Sequence, residues 1–181
     1  MSSPALPRTL QALPLNRQEF APFGDSLAVP ADAAAKAIND GSAQRVDGLA
    51  TLDLSGAGGA PCLALFRTAG PAHQAPWTLK TLERHALGSQ TFVPLGKLHC
   101  LAVVTLADPQ GAPDLGSLRA FIIQPGQGVT LRRGVWHHPL LTLGPGDVLV
   151  LERRGATEDC EIVQLAPGWQ VLPPNSASDI P

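Results

Sequence analysis

The sequence predicts an all-β domain, a closed barrel or two-sheet jelly roll, with a few short helices ahead of it. From Leu49 onward apolar residues come in short runs or in alternation, broken by Gly, Pro or Asp at intervals of about 8 to 15 residues, the rhythm of strands and turns. Gly and Pro number 18 each among 181 residues, without a collagen-like period or a polar low-complexity tract, so they punctuate turns and do not mark disorder. About ten strands in that space would expose many edges in an open sheet, and closure or two-layer winding removes them.

The elements follow in chain order. Residues 1–15 are Pro-rich and predict an extended arm. Asn16 followed by Glu19 has capping-box spacing, which predicts a short helix through Phe20 and Ala21, ended by Phe23-Gly24-Asp25. The alanine-rich stretch from Ala31 to Asn39 predicts a second short helix, closed by Asp40-Gly41. Strands are predicted over Ala50 to Leu54, Cys62 to Arg67, Thr78 to His85, Thr91 to Leu95 and His99 to Leu106. Five more are predicted over Arg119 to Gln124, Val129 to Leu131, Trp136 to Leu143, Val148 to Glu152 and Glu161 to Ala166. Pro113 to Ser117 predicts one helical turn between strands, and residues 173–181 a frayed tail. With no internal repeat or linker, the expectation is one domain over residues 1–181.

Composition excludes several classes of partner. Lys and Arg number 13 against 15 Asp and Glu, a net charge of −2 with no basic run, so neither nucleic acid nor an anionic membrane is expected. The best apolar stretch, Leu98 to Ala107, has a strand's length and not the roughly 20 residues that span a bilayer. Pro4, Pro7, Arg8 and Pro14 interrupt the N-terminal apolar residues, so no secretory signal is expected. Cys62, Cys100 and Cys160 are odd in number, far apart and set among apolar residues, which predicts buried thiols in a reducing cytoplasm.

Three of the five histidines lie in two polar strand segments, LERHALGSQ (82–90) and RRGVWHHP (132–139). Residues two apart on a strand share a face, so Glu83 and His85 point into one cavity with Arg84 outward, and a turn at Gly88 returns Gln90 to the same side. His137 and His138 are adjacent, so a regular strand turns only one of them inward. His73 and His99 lack such companions and read as loop and strand-surface residues. Trp77, Trp136 and Trp169 read as core or rim packing.

Both segments resemble cupin motifs. The first motif places two ligands as H-x-H with a carboxylate about five residues on, and Glu83-x-His85 followed by Gln90 keeps that spacing with two substitutions. Gly126, Gly134 and His137 fall on the glycines and histidine of the second motif, with Arg132 in place of its proline, which selects His137 as the inward histidine. More narrowly, INDGSAQR (38–45), LERHALGSQTFVPL (82–95), LRAFI with GQGV (118–129) and RGVWHHPL (133–140) resemble the bacterial ureidoglycolate lyase family, formerly ureidoglycolate hydrolase, in the family's order. The resemblance implies a cupin-type double-stranded β-helix, a homodimer, and cleavage of ureidoglycolate to glyoxylate and urea in allantoin breakdown. It also implies a divalent metal, nickel in particular, and no organic cofactor. The chain departs from the family at Val46 and Asp47, where an aromatic residue and a histidine are usual, and at Thr130, Leu131 and Arg132, where Asn-Tyr-His is usual; Ala86 replaces a proline.

Such a reaction needs proton transfer at a hydroxyl and at a leaving nitrogen, and a cation for the substrate carboxylate. Glu83, His85 and His137 are the expected catalytic groups, with burial expected to raise the Glu83 pKa. Glu83, His85, Gln90 and His137 form the expected metal set, two N and two O donors. Arg133 is the first choice for the carboxylate, with Arg67 and Arg45 in reserve and Gln90 as a further substrate contact. Alternatively Arg133 braces the barrel against Glu152 or Asp147. The competing function is a cupin that binds a small carboxylic acid without chemistry.

Overall fold

Alternating apolar residues build two sheets that face one another in a computed structural model describing residues 8–71 and 74–174. In chain order the elements are β1 (Arg8–Pro14), α1 (Arg17–Phe20), β2 (Gly24–Ser26), β3 (Lys36–Ile38), β4 (Ala43–Arg45), β5 (Ala60–Thr68), β6 (Trp77–Thr78) and β7 (Thr81–Arg84). They continue as β8 (Gln90–Pro94), β9 (Cys100–Thr105), β10 (Arg119–Ile123), β11 (Val129–Leu131) and β12 (Trp136–His137). Then come β13 (Leu141–Thr142), β14 (Gly146–Arg154), β15 (Glu161–Gln164) and β16 (Trp169–Leu172). The larger sheet runs β15-β7-β12-β9-β10-β1-β16-β6, with β13 also on β9; the smaller runs β2-β11-β8-β14-β5. This is the all-β architecture that strand density predicts, and it is cupin-like, as the resemblance implies.

The core between the sheets takes Cys100, Ala102 and Val104 from β9 and Phe121 and Ile123 from β10, against Phe92, Val129, Leu131, Val148 and Val150 of the smaller sheet. The intervening residues Leu101, Val103, Ala120 and Ile122 are buried on the other face with Ala12, Trp77, Leu79 and Val171. Burial on both faces is why β9 and β10 read as continuous apolar runs and β14 alternates. Phe20 packs edge-on against Phe121 at 5.3 Å. It is held there by α1, whose cap Asn16 accepts hydrogen bonds from the Gln18 and Glu19 amides at 2.8 and 3.2 Å, as the capping-box spacing predicts.

Four expectations need correction. Ala31 to Asn39 is not a helix: Lys36–Ile38 pairs antiparallel with Ala43–Arg45, and Asn39, Asp40 and Gly41 turn the hairpin at positive φ of 51, 55 and 85°. A nine-residue alanine stretch is too short to be helical on propensity alone and offers no apolar stripe to pack. Ala50 to Leu54 forms no strand; Asp53 is bonded locally, donating to Ser89 Oγ and accepting from the Ser89 amide. Thr78 to His85 and Trp136 to Leu143 are each two short strands, the second interrupted at Pro139. The arm is also more than an arm, because residues 8–14 are a strand paired in parallel with both β10 and β16. The helical turn before β10 is present over Leu115–Ser117, with Asp114 accepting from the Gly116 amide. Residues 1–7, 72–73 and 175–181, and with them His73 and most of the expected frayed tail, lie outside the described residues.

Candidate active site

Cross-strand register assembles the site. On the larger sheet β12 sets His137 directly opposite Glu83 of β7, and on the smaller sheet β14 sets Glu152 opposite Gln90 of β8. His85 follows β7. Glu83, His85, Gln90 and Glu152 thus meet at one mouth of the barrel, lining a cleft of about 650 Å³ with Phe92 and Cys160. His137 lies beneath it, 3 % exposed.

The donors have one orientation each. His85 Nδ1 lies 2.7 Å from the Asp159 carbonyl and His137 Nδ1 3.2 Å from that of Val135. A carbonyl accepts only, so Nδ1 carries a proton in each ring; Nε2 then presents a lone pair when the ring is neutral and an N–H when it is protonated. Both Nε2 atoms are buried without a hydrogen-bond partner. Gln90 donates Nε2–H to Glu152 Oε2 at 2.9 Å, which turns its own Oε1 away, and that oxygen too is buried and unpartnered. Buried polar atoms are rarely left orphaned, and three at one place point to a ligand. One donor atom from each of Glu83, His85 and His137 lies within 4.8 Å of the others, an arrangement able to hold a metal ion.

Glu83 Oε1 is 3.4 Å from His137 Nε2, close but not aligned as a hydrogen bond, and Glu83 Oε2 is 3.9 Å from the Cys160 thiol. The expectation that burial raises the Glu83 pKa is overturned: the His137 contact, aided by the charge of His85 and His138, holds it below the ordinary value against desolvation. Glu83 is therefore a carboxylate at neutral pH. Burial pushes the His138 pKa down; its amide bonds the Val103 carbonyl and its Nδ1 the Pro139 carbonyl at 2.7 Å. Arg84 does point away from the cleft, but it is clamped and not solvated, donating to Gly111 O and Glu161 and lying 4.7 Å over the Trp136 ring.

The three sequence-selected arginines stand apart from the cleft lining. Arg133 faces Asp53 at 3.5 Å, not Glu152 or Asp147. Arg67 makes a two-pronged pair with Asp147 at 2.9 and 3.1 Å. Arg45 pairs with Asp47 on the exposed β4 hairpin. Sequence reasoning missed Asp159, whose carbonyl orients His85 and whose carboxylate accepts the Leu87 amide at 3.0 and 2.9 Å, and it missed Arg154 and the role of Glu152. Glu152 had a signal, because it continues the inward alternation of Val148 and Val150 along β14; Arg154, exposed at the end of that strand, had none.

Comparison with known proteins shows the family. The family model described as ureidoglycolate lyase matches residues 7–172. A ureidoglycolate lyase of Burkholderia cepacia is 38 % identical over 156 residues, 86 % of this chain and 85 % of that protein. One from Burkholderia mallei (strain NCTC 10229) is 42 % identical over 149 residues, 82 % and 84 % of the two chains, and one from Pseudomonas fluorescens (strain SBW25) is 40 % identical over 156 residues, 85 % and 90 %. With its matched segments spanning the fold from β1 to β16, the chain belongs to the ureidoglycolate lyase family.

Proposed function

We propose that this protein cleaves ureidoglycolate to glyoxylate and urea, a step of allantoin breakdown. The observation that carries the reading is the convergence of Glu83 with the unpartnered Nε2 atoms of His85 and His137 at a cleft sized for a small molecule, in a chain of this family.

The reaction moves one proton from the substrate hydroxyl to the urea nitrogen while the carbon–nitrogen bond breaks and the carbonyl forms, so one group can serve as base and then acid. Glu83 is suited to both: it lines the cleft, it is ionised, and its Oε2 is not against His137. His137 and His85, when protonated, favour its charged form, and the Val135 and Asp159 carbonyls fix the orientation of their rings.

Glu83, His85 and His137 fit a divalent ion, because one donor atom of each lies within 4.8 Å of the others and both imidazole Nε2 atoms are buried without a partner; Gln90 Oε1, also buried and unpartnered, is the proposed fourth donor. Bound there, such an ion supplies Lewis-acid polarisation of a substrate oxygen. Nickel is the ion that the family resemblance implies, and a mixed imidazole and carboxylate set accommodates it as it does other borderline divalent ions. We also propose a cytoplasmic homodimer; the exposed Leu63 and Leu65 on one face of edge strand β5 support association, which sedimentation velocity checks. Mixing the pure protein with ureidoglycolate releases glyoxylate on this reading. Absence of release, with small carboxylic acids still bound, replaces it with the binding-protein reading.

A further inference from the structure

We propose that Arg154 is the cation that holds the substrate carboxylate, an inference that rests on the proposed reaction. The cleft wall carries four carboxylates, Glu83, Glu152, Glu158 and Asp159. An anionic substrate is repelled there unless a positive group meets it. Two arginines line the same cleft, Arg153 and Arg154. Arg153 is held in place: it is 8 % exposed and its Nε and Nη2 donate to the Gly56 and Ala57 carbonyls at 2.6 and 3.0 Å, which leaves only its Nη1, buried without a hydrogen-bond partner, and not a two-pronged fork for a carboxylate. Arg154 is free to bind. Its side chain is 71 % exposed, and its nearest acidic partner, Glu152 Oε1, is 3.8 Å from Nη2, too far for a hydrogen bond.

Strand geometry aims it. Arg154 lies two residues beyond Glu152 at the exposed end of β14, roughly 7 Å along the strand, where it lines the cleft. Glu152 itself is bonded to Gln90 beside Glu83. Glu152 is therefore spent on the amide through Oε2 and offers the guanidinium only a loose tether through Oε1. A carboxylate held by the Arg154 fork puts the rest of a small hydroxy acid toward Glu83. The sequence-selected Arg133, Arg67 and Arg45 each have an aspartate partner and none lines the cleft.

The test uses glycolate, which carries the substrate's hydroxyl and carboxylate, against glycolamide, which lacks the charge, with ureidoglycolate kinetics alongside. In Arg154→Ala, glycolate binding by calorimetry and KM for ureidoglycolate weaken together by about 10- to 100-fold, the range of a hydrogen bond to a charged group. In the same variant kcat stays within about threefold and glycolamide is unaffected; Arg154→Lys recovers part of the loss. The loss shrinks in high salt because the guanidinium is exposed. Unchanged glycolate affinity in Arg154→Ala, the same loss for glycolamide, or a larger KM effect from Arg133→Ala overturns the assignment. The reaction and the anchor fail separately. A wild-type protein that binds glycolate through Arg154 but releases no glyoxylate keeps the anchor and loses the reaction; turnover indifferent to Arg154 does the reverse.

Discussion

At the scale of single residues, the proposed catalytic cluster and the surface ion pairs make different predictions. His85→Ala and His137→Ala each lower glyoxylate release by at least about 100-fold, the scale of lost acid–base support, whereas His99→Ala, whose ring meets only the Lys97 carbonyl at 3.2 Å, changes it little. Steady-state kinetics with circular dichroism as a folding control separates the two. Arg67 and Asp147 are a solvent-facing pair in which the guanidinium lowers the carboxyl pKa. The folded chain then binds fewer protons than the unfolded one, so the pair's contribution is present above the ordinary carboxylate value near about pH 4 and is lost as pH falls through the lowered value. The Tm difference between wild type and Arg67→Ala is accordingly small at pH 7, smaller still in high salt, and absent once the pH has fallen below the lowered Asp147 value. Glu83 and His85 are legible from two-residue spacing alone. Asp159 is not, because it acts on His85 through a carbonyl 74 positions away.

At the scale of elements, close backbone approach is the sharpest determinant. A Cβ on Gly24 would stand 1.9 Å from the Thr130 carbonyl oxygen, backbone that cannot swing aside, so Gly24→Ala forces β2 off β11. The expected cost is about 1 to 3 kcal/mol, the range for overpacking. Gly144→Ala, with nothing within 4 Å of its Cβ, is the control, and urea unfolding of both variants checks the contrast. β5, β9, β10, β11 and β14 are legible because alternation or continuous apolar runs mark their burial. β3 and β4 are not. Their pairing is set by a positive-φ turn in a stretch whose composition favours helix.

At the scale of the whole molecule, β9 and β10 contribute alternate residues to the core between the sheets and to the core on the other face, so neither core survives loss of the other. We propose on this ground that the chain is one domain, as its length and lack of linkers suggest. Scanning calorimetry then gives a single transition whose calorimetric and van't Hoff enthalpies agree. Two resolved transitions contradict it.

Strand density, turn punctuation and the spacing of Glu83, His85, Gln90 and His137 were determined by the sequence itself, because face alternation and turn chemistry are local properties of the backbone. Which arginine faces the cleft was decided only by the tertiary structure. Arg133 adjoins the His137 segment in sequence yet turns to Asp53, while Arg154, far along the chain, enters the cleft because β14 pairs with β8. The same holds for the low Glu83 pKa: burial, which raises it, is guessed from a barrel, but the opposing His137 contact exists only once β7 and β12 are in register.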